Sequence, residues 1–145
     1  MKKLLFILLT AFFISSSFAQ ILNPVRFNYS VVKKGKDTYE VHIKTNLDTR
    51  WHIFSVKNPD GGSDPTTIKL TDGKPVGAIK EVGKMITEYS KEFKVDQKYF
   101  EGSVEFVQLV KLKPGSKKIA GTIEYMVCND SRCLPPKLVE FKIKI

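Results

Sequence analysis

The chain has 145 residues, 42% of them hydrophobic and 27% charged, which is one domain's worth of sequence with enough apolar content to fold around a core. Its formal charge is +9, but the lysines are spread along the chain and alternate with apolar residues, as in Lys142-Ile143-Lys144-Ile145, the pattern of solvated strand faces. That dispersion argues against a nucleic-acid partner, and the two histidines and two cysteines match no zinc-finger spacing, so neither a metal nor any other cofactor is expected.

In chain order, Lys2 and Lys3 give a positive start, Leu4 to Phe13 is an apolar run broken by Thr10, and Ser15-Ser16-Ser17-Phe18-Ala19 supplies small residues where a signal peptidase reads. This is the pattern of a secretory signal peptide over residues 1–19, cleaved after Ala19, and it predicts export to the periplasm. The apolar run falls short of the roughly 20 residues a membrane span needs, and no later segment is apolar enough to span. No cysteine follows the cleavage site to carry a lipid. The mature domain, residues 20–145, keeps a charge of +7 once Lys2 and Lys3 are gone.

Strand-like alternation dominates this mature chain. Tyr39, Val41 and Ile43 point one way while Glu40, His42 and Lys44 point the other, the period-2 signature of a half-buried strand. Val104, Phe106, Gln108 and Val110 repeat it, as do Ile119, Gly121, Ile123 and Tyr125, and then Val139, Phe141, Ile143 and Ile145. Further short strands are expected over 25–32, 51–56, 66–71 and 76–82. Turn formers separate the runs: Lys34-Gly35-Lys36-Asp37, Pro59-Asp60-Gly61-Gly62, Asp72-Gly73-Lys74-Pro75 and Lys113-Pro114-Gly115-Ser116. No stretch keeps a helical period over three turns. Seven to nine short strands at this spacing predict an all-β, immunoglobulin-like β-sandwich. Segments 57–65 and 83–97 read as the least regular, and function that needs mobility is expected there.

The two cysteines stand five apart in Cys128-Asn129-Asp130-Ser131-Arg132-Cys133. In an oxidising compartment such a pair forms a disulfide unless a reductant acts on it. As a staple it is weak, since closing so small a ring removes only about 2 kcal/mol of chain entropy. As an exposed ring beside a turn it is easy for a partner thiol to reach. Spacing alone leaves the redox and structural readings open. Arg132 and Lys137 are candidates to stabilise a thiolate, and Asp130 would oppose it. Leu134-Pro135-Pro136 stiffens the chain after Cys133 and removes two backbone donors, from which a following strand can begin.

Tyr125-Met126-Val127-Cys128, the four-residue spacer and Cys133-Leu134-Pro135-Pro136 resemble the cysteine motif of the N-terminal periplasmic domain of DsbD, a thiol:disulfide interchange family. Trp51-His52-Ile53-Phe54-Ser55 resembles an aromatic strand the family places early, and Tyr99-Phe100-Glu101-Gly102 followed by 104–112 resembles a later one. The best-known members carry one more residue between the cysteines, so ring geometry and potential do not transfer. The resemblance implies an immunoglobulin-like sandwich acting as an electron relay through Cys128 and Cys133. Its partners would be the thioredoxin-like domain of a membrane thiol reductase and periplasmic thiol–disulfide proteins. Cys133 would form the mixed disulfide with a partner and Cys128 would resolve it. It also implies a cap loop with an aromatic residue over the cysteines, for which Tyr89 and Phe93 are the candidates, with Phe54 as a wall. Ordinary core packing is the competing expectation for each aromatic. The chain has no Cys-x-x-Cys and no later membrane span, so the electrons are expected to come from a separate polypeptide.

The alternative from a different class is a non-catalytic exported β-sandwich, a binding or assembly module with a structural disulfide. Other chemistry has little support. No nucleophile elbow, phosphate-cradling glycine loop or metalloprotease motif is present. His42, on the polar phase of its strand, reads as solvated, and Asp96 and Glu101 read as isolated carboxylates.

Overall fold

The computed structural model describes residues 22–145; the signal-peptide reading and its cleavage site lie outside them. Among the described residues there are eleven strands and no helix. They are β1 (Val25–Lys33), β2 (Thr38–Leu47), β3 (His52–Phe54), β4 (Thr67–Leu70), β5 (Lys74–Val82), β6 (Met85–Ser90), β7 (Val95–Glu101), β8 (Ser103–Lys111), β9 (Lys118–Tyr125), β10 (Val127–Cys128) and β11 (Lys137–Lys144).

Three antiparallel sheets result. A front sheet runs β1-β2-β8-β5, a back sheet runs β11-β9-β4, and a third, here the site sheet, runs β10-β3-β7-β6. The alternation read from sequence sets their inner faces. Val41, Ile43, Val104, Phe106 and Val110 of the front sheet and Ile119, Ile123 and Phe141 of the back sheet are buried in one continuous core. Aromatic rings stitch the two sheets face to face. Tyr29 stacks on Phe141 with centroids 5.3 Å apart, and Phe27 meets Tyr125 edge-on at 5.1 Å. The site sheet enters the same core through Ile53, Phe100 and Val127, joined by Trp51 just before β3.

Two positions show how closely the layers meet. A side chain at Gly121 would run into the Lys69 carbonyl on β4 and come within 2.8 Å of the Phe141 ring, so β9 needs glycine there. Gln108, core-facing as its phase predicts, donates from Nε2 to the carbonyls of Val76 (3.1 Å) and Leu109 (2.9 Å). It thereby satisfies the backbone where the β5–β8 register shifts between Val76 and Lys80.

Two expectations need correction. Eleven strands replace the seven to nine expected, and segment 83–97 is largely a hairpin rather than irregular chain: β6 pairs with β7 from Met85↔Phe100 to Ser90↔Val95. Its period was masked because β6 buries neither face, with Met85 and Tyr89 exposed on one side and Glu88 on the other. The connection over 57–65 does lack strands. Polar side chains, Asn58 buried and Gln97 partly so, nevertheless tie it down. Asn58 Nδ2 donates to the Ser63 carbonyl (2.7 Å), Asn58 Oδ1 accepts from Lys98 N–H (2.7 Å), and Gln97 Oε1 accepts from Ser63 N–H (2.9 Å). His42 is half-buried rather than simply solvated, its Nε2 3.1 Å from Glu40 and its Nδ1 3.3 Å from Glu105.

Candidate functional site

β10 is the edge strand of the site sheet, and it carries Cys128. The chain then turns through Asn129-Asp130-Ser131-Arg132 and returns at Cys133, which bridges Cys128 across the hairpin. Asn129 makes this turn: its Oδ1 accepts from the backbone N–H of Ser131 and of Arg132, both at 2.9 Å, an Asx turn that a short polar side chain favours. Asn129 N–H donates to the Arg132 carbonyl (2.9 Å) and Leu134 N–H to the Val127 carbonyl (2.9 Å), holding both arms in register. Pro135 and Pro136 follow, and β11 starts at Lys137. The two cysteines are joined in a disulfide with Cα atoms 3.9 Å apart.

The two sulfurs do not have equal surroundings. Cys128 is 4% exposed, whereas Cys133 belongs to the exposed surface of the turn. Both line a cleft of about 270 Å³, whose walls include His52 and Phe54 of β3, Tyr89 of β6, Phe93 of the hairpin tip and Tyr99 of β7. The two residues proposed from sequence as a cap, Tyr89 and Phe93, therefore stand at this cleft, 58% and 41% exposed respectively. Phe54 is 2% exposed yet lies outside the continuous core. It packs instead edge-on against His52 (5.4 Å) and Tyr99 (6.4 Å), as a wall of the cleft.

Sequence reasoning did not assign His52, Tyr99 or Glu88 to the site. His52 is the register partner of Cys128 on one side and of Glu101 on the other. Its ring lies 4.4 Å from that of Tyr99. Burial pushes the imidazole below its ordinary pKa of 6.5, against the pull of Glu101, Asp130 and Glu88 in the other direction. Tyr99 donates its hydroxyl to Glu88 Oε2 at 2.7 Å. Burial first, and then that hydrogen bond to a carboxylate, push the phenol up to about 12. One signal in the sequence pointed this way: His52 and Phe54 are two apart on a strand, hence on one face. Arg132 and Lys137, the cations considered for a thiolate, do not line the cleft. Lys137 instead donates to Asn23 Oδ1 at 3.0 Å. His42 projects from the outer face of β2, so the two histidines and two cysteines do not converge, and among the described residues no cluster of His, Cys, Asp or Glu is arranged to hold a metal ion.

A β-sandwich whose edge strand presents an asymmetric disulfide to an aromatic cleft defines the class: a disulfide-bearing, all-β domain of the immunoglobulin-like type. The family model described as "Thiol:disulfide interchange protein DsbD, N-terminal" matches residues 19–144, and the chain belongs to that family. No curated protein sequence matches it significantly.

Solved structures share the fold. The N-terminal periplasmic domain of ScsB from Proteus mirabilis superposes with a TM-score of 0.65 at 12% identity over 85% of this chain. This chain spans about half the length of that one, 47%. The DsbD N-terminal domain of Neisseria meningitidis in the reduced form gives a TM-score of 0.56 at 16% identity, covering 81% of this chain and 84% of that one. A structure of the complex between the DsbD N-terminal and PilB N-terminal domains of Neisseria meningitidis gives 0.56 at 15% identity, covering 85% and 87%. Among the described residues no helix is long and apolar enough to cross a membrane.

Proposed function

We propose that this chain is a periplasmic thiol–disulfide exchange domain, exported by residues 1–19 with cleavage after Ala19 and working as domain 20–145. It relays electrons between the thioredoxin-like domain of a membrane thiol reductase and periplasmic client proteins. The observation that carries this reading is the asymmetry of the pair: both line one cleft, Cys133 exposed and Cys128 buried. A partner thiolate attacks Cys133 Sγ, the Cys128–Cys133 bond breaks, and Cys128 leaves as the thiolate; the reverse attack by Cys128 releases the partner. Cys128 and Cys133 are the catalytic residues, while Phe54, Tyr89 and Phe93 wall and cap the cleft. Family membership supports the reading, as does a relative solved in its reduced form and another solved in complex with the PilB N-terminal domain.

The test is the reduction potential of the Cys128–Cys133 pair, read by alkylation and mass spectrometry in graded thiol buffers. The relay requires a value above the region below roughly −300 mV where structural disulfides lie. The Cys128→Ser protein, keeping Cys133, should then trap a mixed disulfide with a thioredoxin-fold partner, and Cys133→Ser should not. A pair that stays oxidised in strong thiol buffer leaves the non-catalytic module with a structural disulfide.

A further inference from the structure

The strand register lines up four side chains across the site sheet in one row: Cys133, Cys128, His52 and Glu101. Residues directly opposite in an antiparallel pair share a face, with Cβ atoms about 4.5–5.5 Å apart. The row therefore reads as exposed sulfur, buried sulfur, imidazole, carboxylate. That order matters because the buried sulfur has a proton to lose. In the disulfide-bonded structure Cys128 is 4% exposed, so bulk water has little access to its sulfur. The titratable side chain directly opposite it is the His52 imidazole, and the cations of the segment, Arg132 and Lys137, neither line the cleft nor accept a proton.

Resting on the exchange reading above, we infer that His52 is the proton acceptor of Cys128, the residue that turns the buried thiol into the nucleophile that releases a bound partner. In the step assigned to it, Cys128 Sγ attacks Cys133 Sγ of the mixed disulfide. The Cys128–Cys133 bond forms, the bond from Cys133 to the partner breaks, and the partner leaves as its thiolate with the electron pair of that bond. The Cys128 proton passes to the imidazole, and from there to the partner thiolate or to water. In the opposite direction the imidazolium returns the proton to the departing Cys128.

The surroundings suit this task. Burial against Phe54 and Tyr99 favours the neutral imidazole, the form that accepts a proton. Once protonated, the ring faces Glu101 of β7, Glu88 of β6 and Asp130 of the cysteine turn, whose charges favour the cation. The fourth titratable neighbour, Tyr99, already donates its proton to Glu88 and is a poor acceptor at neutral pH. A base whose own pKa lies near the working pH is the effective kind for proton transfer.

The closing step is measured with Ellman's reagent on the reduced mature protein. Cys133 takes one thionitrobenzoate group and releases one anion; the attack of Cys128 then releases the second anion, whose appearance times the step. In the wild type the closing rate is expected to rise with pH through an inflection below 6.5, the ordinary histidine value. His52→Gln is expected to slow it about tenfold or more at neutral pH and to remove the inflection. Glu101→Gln is expected to move the inflection lower, because a charge favouring the imidazolium is gone. Closure by His52→Gln at the wild-type rate with an unchanged profile overturns the inference and leaves the exchange reading standing. If His52→Gln does not fold, judged by its melting curve, the carboxylates decide: an inflection unmoved in both Glu101→Gln and Glu88→Gln overturns it. A wild-type pair that cannot be reduced is a separate result, and it overturns the exchange reading and this inference together.

Discussion

His52 shows how far one side chain departs from its free behaviour once a sheet forms around it. In solution its imidazole would be half protonated at 6.5; between Phe54, Tyr99 and the cysteine hairpin, burial outweighs three carboxylates and holds the pKa lower. The consequence for stability has a definite sign. The unfolded chain takes up the proton first as pH falls, so the contribution of His52 is fully present above 6.5 and is lost as pH falls through the lower folded value. A histidine titration followed by nuclear magnetic resonance should give His52 a midpoint below 6.5, lowered further by Glu101→Gln. Urea unfolding between neutral and mildly acid pH should lose less stability in His52→Gln than in the wild type. A wild-type midpoint at or above 6.5 contradicts the packing described for this ring.

At the scale of elements, the β6–β7 hairpin separates two roles that aromatic residues often combine. Tyr89 and Phe93 project at the cleft while remaining 58% and 41% exposed, and neither joins the core. The turn between the strands is tight, with Lys94 N–H donating to the Ser90 carbonyl (2.8 Å) and Lys94 at a φ of 59°. Tyr89→Ala and Phe93→Ala are therefore expected to change unfolding free energy by no more than about 0.5 kcal/mol, as for surface positions. The same variants should raise the rate at which a small alkylating reagent labels Cys133 in the reduced protein severalfold. Unchanged labelling would mean that the hairpin does not screen the sulfur. The strands carrying the core were legible because one buried face against one wet face leaves a period of two, as in Val41 and Ile43 or Val104 and Phe106. β6 was not, having no buried face, and β10 was not, being two residues long. The cysteine pair stood out in the sequence, and the family resemblance named three of the four aromatics that line the cleft, Phe54, Tyr89 and Phe93, but not Tyr99. His52 was missed because its significance lies in which residues β3 pairs with, Cys128 and Glu101, and long-range register leaves no trace in local periodicity.

For the molecule as a whole, what decides between a redox centre and a staple is where the disulfide sits relative to what holds the fold. The core spans the front and back sheets and takes in Ile53, Phe100 and Val127 from the site sheet. The cysteine hairpin lies at the edge of that third sheet, and its ring closes over a sequence separation of five. Chain-entropy reasoning gives such a ring about 2 kcal/mol, a small part of the burial that drives a domain of this size. Reduction should therefore leave the sandwich folded at room temperature, with far-ultraviolet circular dichroism unchanged and the melting temperature lower by roughly 10 °C or less. The Cys128→Ser/Cys133→Ser protein should melt close to the reduced wild type, since both lack the same constraint. A reduced protein that unfolds at room temperature would make the disulfide a structural requirement. A relay cannot tolerate that requirement, because each turnover passes through the reduced state and the fold must outlast it.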